Sequence, residues 1–210
     1  MARAASATRR RRLGWALALL APWLAGTPAS AETPGPSQLL RWILASEDNA
    51  GSAFVLVDKV AARIMVFDGA GRPLGVSPVL LGSATGDDSA PGIGQRKLSQ
   101  IRPEERTTPA GRFVASLGRN LGKDDVIWID YDAAVSMHRV ITGGAKDRRL
   151  ERLATPSPFD NRISYGCINV PVAFYESVLR PAFVAASGVV YVLPETRPLN
   201  AAFPAYVSQP

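Results

Sequence analysis

Residues 162–171 read RISYGCINVP, and they hold the single cysteine of a 210-residue chain, Cys167. One thiol can form no intramolecular disulfide, so this one serves packing, intermolecular pairing or reactivity. A cysteine is a nucleophile only as a thiolate, and a free thiol holds a few per cent of that form near neutral pH. It therefore needs a base or a cation beside it. The chain has one histidine, His138, which ends the strand-like run Ala134-Val135-Ser136-Met137-His138. The two lie 29 positions apart (167 − 138), a number that says nothing of their distance in the fold. Together they are the side chains that thiol acyl transfer requires, and Cys167 as a small core hydrophobe is the plainer alternative.

The flanking residues fit a nucleophile loop. Gly166 permits a tight bend and a close approach of substrate to the main chain. The amides of Tyr165, Gly166 and Cys167 are candidate donors to an oxyanion. Ser164 and Asn169 carry short polar side chains able to bind nearby backbone, and Ile168 and Val170 read as buried anchors. Arg162 and Arg139 are candidates for gripping a peptide carboxylate. Arg148, Arg149 and Arg152 read as a further carboxylate grip or, at least as well, as a solvated charged face. Trp128, Tyr131, Phe174 and Tyr175 read as packing residues. One histidine and one cysteine are too few for the usual zinc set, and no metal or cofactor is expected.

The amino terminus reads as an export signal. Arg9 to Arg12 form a positive region, Leu13 to Ala25 an apolar run, and Ala29-Ser30-Ala31 a small-residue cleavage site. Cleavage after Ala31 removes five arginines and no acids, so the formal charge falls from +6 to +1. The basic balance thus belongs to the signal and gives no support for nucleic-acid binding. The apolar run is short for a membrane span, and no integral span is expected after its removal. The expected location is the periplasm or cell envelope.

The remainder has the length of one domain. Residues 32–52 read as a linker and a short helix, Gln38 to Ser46, with Ser37 as its N-cap. Strand patterns follow at 53–57, 62–67, 73–81, 112–117, 126–131, 134–141 and 189–193, with short helices near 144–153 and 172–183. The stretch 82–107 reads as a long surface loop. Residues 194–210 form a proline-punctuated tail expected to lie over the body or stay unstructured. This adds up to a mainly antiparallel β domain over residues 53–193.

Ser164-Tyr165-Gly166-Cys167-Ile168-Asn169 resembles the nucleophile signature of the L,D-transpeptidase catalytic domain, the YkuD-like family. Thr108-Pro109-Ala110-Gly111-Arg112-Phe113 is similar to that family's Thr-Pro-x-Gly-x-Phe element, and Val55 to Phe67 to its opening hairpin. The resemblance implies an antiparallel β-sandwich or barrel-like domain acting on peptidoglycan stem peptides, with a role in cell-wall biogenesis and cell shape. It implies Cys167 as nucleophile, His138 as its base, and the Gly166 and Cys167 amides as oxyanion donors. In that chemistry the thiol attacks the carbonyl of the third stem residue and expels the terminal D-alanine. An amine or water then resolves the thioester. A hydrolase of the same fold, an L,D-carboxypeptidase or a protein–peptidoglycan amidase, keeps the chemistry and changes the acceptor. A non-catalytic wall-binding module is the reading from another class. Two departures stand out. Tyr165 replaces a histidine common in the family, and the 25 residues from Arg139 to Ile163 exceed its usual spacing (163 − 139 + 1).

Overall fold

Phe54, Val55, Leu56 and Val57 are all buried, an apolar run without alternation. Such a run belongs to a strand covered on both faces. It is β1 (Phe54–Asp58), and its parallel neighbour β10 (Gly188–Val192) is buried throughout for the same reason. The two faces are separate cores. Val55, Val57, Val190 and Val192 join the larger cluster, while Phe54, Leu56, Val189 and Tyr191 join the second.

The computed structural model describes residues 1, 35–120, 122 and 124–207. The export signal read over residues 1–31 lies, apart from Met1, outside them. The other strands are β2 (Arg63–Phe67), β3 (Pro73–Pro78), β4 (Leu81–Gly82), β5 (Gly111–Arg119), β6 (Asp125–Asp130), β7 (Val135–Arg139), β8 (Arg162–Ser164) and β9 (Ile168–Val170). One eight-stranded sheet runs β3-β2-β1-β10-β5-β6-β7-β9, and β4 pairs with β8 in a small second sheet. The chain is mainly β, as its sequence pattern indicates. Pairing is mostly antiparallel, with parallel contacts at β1–β10, β4–β8 and β7–β9.

One face of the sheet is covered by a segment built from α3 (Val172–Phe174), a π-turn (Tyr175–Leu179) and α4 (Arg180–Val184). Tyr175, Leu179 and Phe183 from this segment enter the larger core. Pro181 has no N–H to give to the carbonyl four residues back and its ring crowds that carbonyl, so widening the preceding turn keeps the segment helical. The other face is covered by α1 (Pro36–Ser46) through Leu39, Trp42 and Ile43, and by α5 (Leu199–Ala202) followed by Phe203. The tail is thus part of a core. The N-cap of α1 is Gly35 without a side-chain bond, and Pro36 occupies the first turn, where its missing N–H costs nothing. Ser37 is inside the helix. Tyr131 is 76% exposed and meets Trp128 edge-on at 5.1 Å, so this pair is not the core contact its sequence setting suggested.

A buried polar hub ties the turn after β1 to the tail. Lys59, fully buried, donates from Nζ to Gly86 O at 2.6 Å, Asp87 Oδ1 at 2.7 Å and Thr108 O at 2.9 Å. Asp87 in turn accepts from the amides of Glu195 and Thr196, both at 2.9 Å, and from Thr196 Oγ1 at 2.6 Å.

Candidate functional site

Strand parity builds the site. In β7, Val135 and Met137 enter the larger core, which sends Ser136 and His138 to the opposite face. The parallel pairing with β9 sets Met137 beside Ile168, His138 beside Asn169 and Arg139 beside Val170. Continuing that register places Cys167 next to Ser136, on the same face as His138. The separation in sequence is therefore a crossover that returns to the neighbouring strand.

The half-buried Cys167 thiol lies 3.8 Å from Ser136 Oγ and 3.6 Å from Ala134 O, and the His138 imidazole is near enough to act on its titration. His138 Nδ1 is 2.7 Å from Arg139 O. A carbonyl only accepts, so Nδ1 carries a proton and Nε2 is left for the thiol. Burial opposes charge on both groups. On His138 the hydrogen bond to Cys167 and the thiolate charge outweigh it and raise the imidazole above its ordinary value, while the Arg149 charge pulls down. On Cys167 the His138 bond and charge, helped by Ser136, outweigh burial and lower the thiol. Both shifts move the pair toward thiolate with imidazolium.

This has a measurable consequence. Alkylation of the wild-type thiol by iodoacetamide should persist to a pH below that at which a free cysteine stops reacting. In His138→Ala the main lowering partner is gone while burial remains, so the transition should move to higher pH than in wild type. Identical pH profiles for the two proteins would show that His138 does not act on the thiol.

The loop before Cys167 is held from three directions. Gly166 has φ +134°, and a Cβ there would come 2.8 Å from Thr107 O, a backbone atom. Thr108 Oγ1 accepts from Gly82 N at 2.9 Å and donates to Gly166 O at 2.8 Å. Here the Thr-Pro element meets the Cys167 loop. Ser164 Oγ donates to Cys167 O at 2.6 Å and accepts from Gly166 N at 3.1 Å. Asn169 Nδ2 donates to Cys167 O at 3.3 Å. Gly166→Ala is expected to lose about 1–3 kcal/mol in urea denaturation through the strained φ and the backbone clash, and to slow thiol alkylation. Unchanged stability and reactivity would mean that the loop tolerates a Cβ by moving.

Several sequence-based assignments change. The Gly166 amide is already donated to Ser164, so it holds the loop and is not free for an oxyanion. Among the described residues the Tyr165 and Cys167 amides have no acceptor, which leaves these two as candidates. Arg162 is not open to substrate. It donates from Nη2 to Lys59 O at 2.8 Å and pairs bidentately with Glu195. Arg139 is likewise occupied, by Glu176 at 2.5 Å and Asp125 at 2.8 Å, and its guanidinium sits 4.2 Å from the Tyr175 ring centre. A hollow of about 550 Å³ beside these ion pairs includes neither Cys167 nor His138 in its lining. The cleft that reaches His138, about 490 Å³, is walled in part by Asn120, Val126, Val140, Thr142 and Val172.

Ser136 was not singled out from sequence, although its alternation with His138 on one strand was a usable signal. Tyr165, 37% exposed, lies under the Arg106 guanidinium at 4.1 Å, which brings the end of the 82–107 stretch to the Cys167 loop. Among the described residues no cluster of three or more histidine, cysteine, aspartate or glutamate side chains is placed to hold a metal.

A mainly β domain that presents a cysteine–histidine pair from adjacent parallel strands is the class that fold and site define. No family model and no curated protein matches the chain. Among solved structures it is similar to the helical cell shape determining protein Pgp2 from Campylobacter jejuni, with TM-score 0.48 and 17% identity over 70% of this chain and 49% of that one. It is also similar to an L,D-transpeptidase from Xylanimonas cellulosilytica (TM-score 0.41, 13% identity, 68% and 60% of the two chains). A third is the catalytic domain of the E. faecium L,D-transpeptidase (0.40, 16%, 68% and 98%). The chain spans about half the length of Pgp2. At these scores the likeness carries no functional weight.

Proposed function

We propose that the protein is an exported cysteine acyl transferase of the L,D-transpeptidase type that works on peptidoglycan stem peptides. The observation that carries this reading is that Cys167 and His138 share one face at the β7–β9 pairing, with the imidazole Nδ1 held 2.7 Å from Arg139 O. In the first step the Cys167 thiolate attacks a peptide carbonyl carbon. A carbon–sulfur bond forms, and the charge that gathers on oxygen is met by the Cys167 and Tyr165 amides. Collapse breaks the carbon–nitrogen bond, and the proton on His138 Nε2 passes to the leaving amine. In the second step an acceptor amine attacks the thioester and gives its proton to His138. The new amide forms as the thiolate leaves.

Export supplies the location this substrate demands, and the Arg9–Ala31 pattern supports it. Among the described residues no helix is long and apolar enough to cross a membrane. Incubation with purified muropeptides, with products identified by mass, tests the proposal. Crosslinked products are expected. Loss of a terminal residue without crosslinks would make water the acceptor, and an unchanged mixture would overturn the enzymatic reading.

A further inference from the structure

The long segment between His138 and Ser164 contains α2 (Arg149–Ala154). Of the arginines in and around it, Arg148 pairs with Glu151 in solvent, and Arg152 donates to Asp147 O at 2.7 Å and Asp160 O at 2.5 Å. Arg149 alone turns toward the site. Its side chain is 17% exposed, and Nη1 donates to Asn169 Oδ1 at 2.7 Å. Asn169 is the register partner of His138 and is itself bonded to Cys167 O. Among the described residues the only anion on Arg149 is Asp147, 3.0 Å away and 38% exposed. Contacts with Asp147 and Asn169 take three of the five guanidinium N–H groups among the described residues.

We propose that Arg149 is a specificity-determining residue that binds the free α-carboxylate of the leaving amino acid, so that the protein acts on the bond before a C-terminal residue. This rests on Cys167 and His138 working as proposed above. The chemistry follows from the leaving group. His138 must protonate the departing amine, so that nitrogen lies against the imidazole when the bond breaks. In an α-amino acid the carboxylate is attached one carbon from that nitrogen. A cation seated beside the histidine is therefore within reach of it, and two guanidinium N–H groups remain to grip it. His138 registers the Arg149 charge, which agrees with this placement. An internal peptide bond offers no carboxylate there and leaves the two remaining N–H groups of Arg149 without that partner.

The test compares a stem tetrapeptide ending in a free carboxylate with the same peptide ending in a carboxamide, using wild type, Arg149→Gln and Arg149→Lys. Wild type is expected to favour the free acid by about tenfold to a hundredfold in kcat/KM, the range for a charge-assisted hydrogen bond. Arg149→Gln should lose that preference mainly through a higher KM for the acid, with the carboxamide nearly unaffected, and Arg149→Lys should restore part of it. Equal turnover of both peptides by wild type would overturn the proposal. So would an equal loss on both peptides in Arg149→Gln, which is the result of a purely structural bond to Asn169. If wild type turns over neither peptide and Cys167 stays unacylated, the acyl-transfer reading fails, and this inference with it.

Discussion

Cys167→Ala is expected to lower turnover of muropeptides by about a thousandfold or more while leaving the folded protein intact. The magnitude is that of removing the nucleophile from a centre whose parts act as a unit, where what remains comes from binding alone. The fold should survive because the change removes little volume from a half-buried position. Ser164, Thr108 and Asn169 also hold the loop mainly through its backbone, at Cys167 O and Gly166 O and N, and those bonds do not need the thiol. Circular dichroism and urea denaturation establish that the variant is folded. Retained turnover in a folded variant would move the chemistry to another residue.

Lys59→Met is expected to cost about 3–5 kcal/mol of stability, the usual penalty for leaving a buried charge without its partner. That is a large share of the roughly 5–15 kcal/mol of a small domain. The ammonium holds Gly86 O, Asp87 and Thr108 O together, and Glu195 Oε1 stands 3.4 Å away. Methionine fills similar space and satisfies none of these. Thr108 also holds Gly166 O, so thiol reactivity should fall with stability. The pH dependence has a definite sign. Burial opposes the Asp87 charge, but Lys59, Thr196 and the Glu195 amide outweigh it and hold the carboxyl well below its ordinary range. A depressed carboxyl contributes stability above its unfolded value, and that stability is lost as pH falls through the folded value. Without Lys59 the burial effect gains weight, so acid unfolding of Lys59→Met should begin at higher pH than in wild type. Urea titrations of both proteins at neutral and acidic pH measure the two effects. A difference below about 1 kcal/mol, the size of a surface pair, would show that water reaches the hub.

The longer strands of the large sheet were legible because their apolar runs are long enough to show a period, and β1 and β10 because they have none. The short strands β8 and β9 were not, since three residues flanking a glycine turn carry no period. The sole cysteine and histidine were legible as chemistry. Their approach was not, because it depends on a parallel pairing between segments separated by a crossover. The arginines were misplaced for a related reason. Arg139 and Arg162 sit close to the key residues in sequence, but their charges are met by Asp125, Glu176 and Glu195 from distant segments. Arg149 is remote in sequence from both catalytic candidates and reaches the site through Asn169. Lys59 sits in a hairpin connection, where a lysine ordinarily faces water. Its burial is set by the 82–107 stretch and the tail, which no local pattern shows.

The proposed thioester on Cys167 can be trapped directly. The protein is mixed with a stem tetrapeptide, quenched in acid within the first turnover, and its intact mass and peptide map are recorded. The expected result is a gain equal to the peptide without its C-terminal residue, carried by Cys167 and absent from Cys167→Ala. Turnover with no adduct, or an adduct on any other residue, would contradict a thioacyl-enzyme at this site.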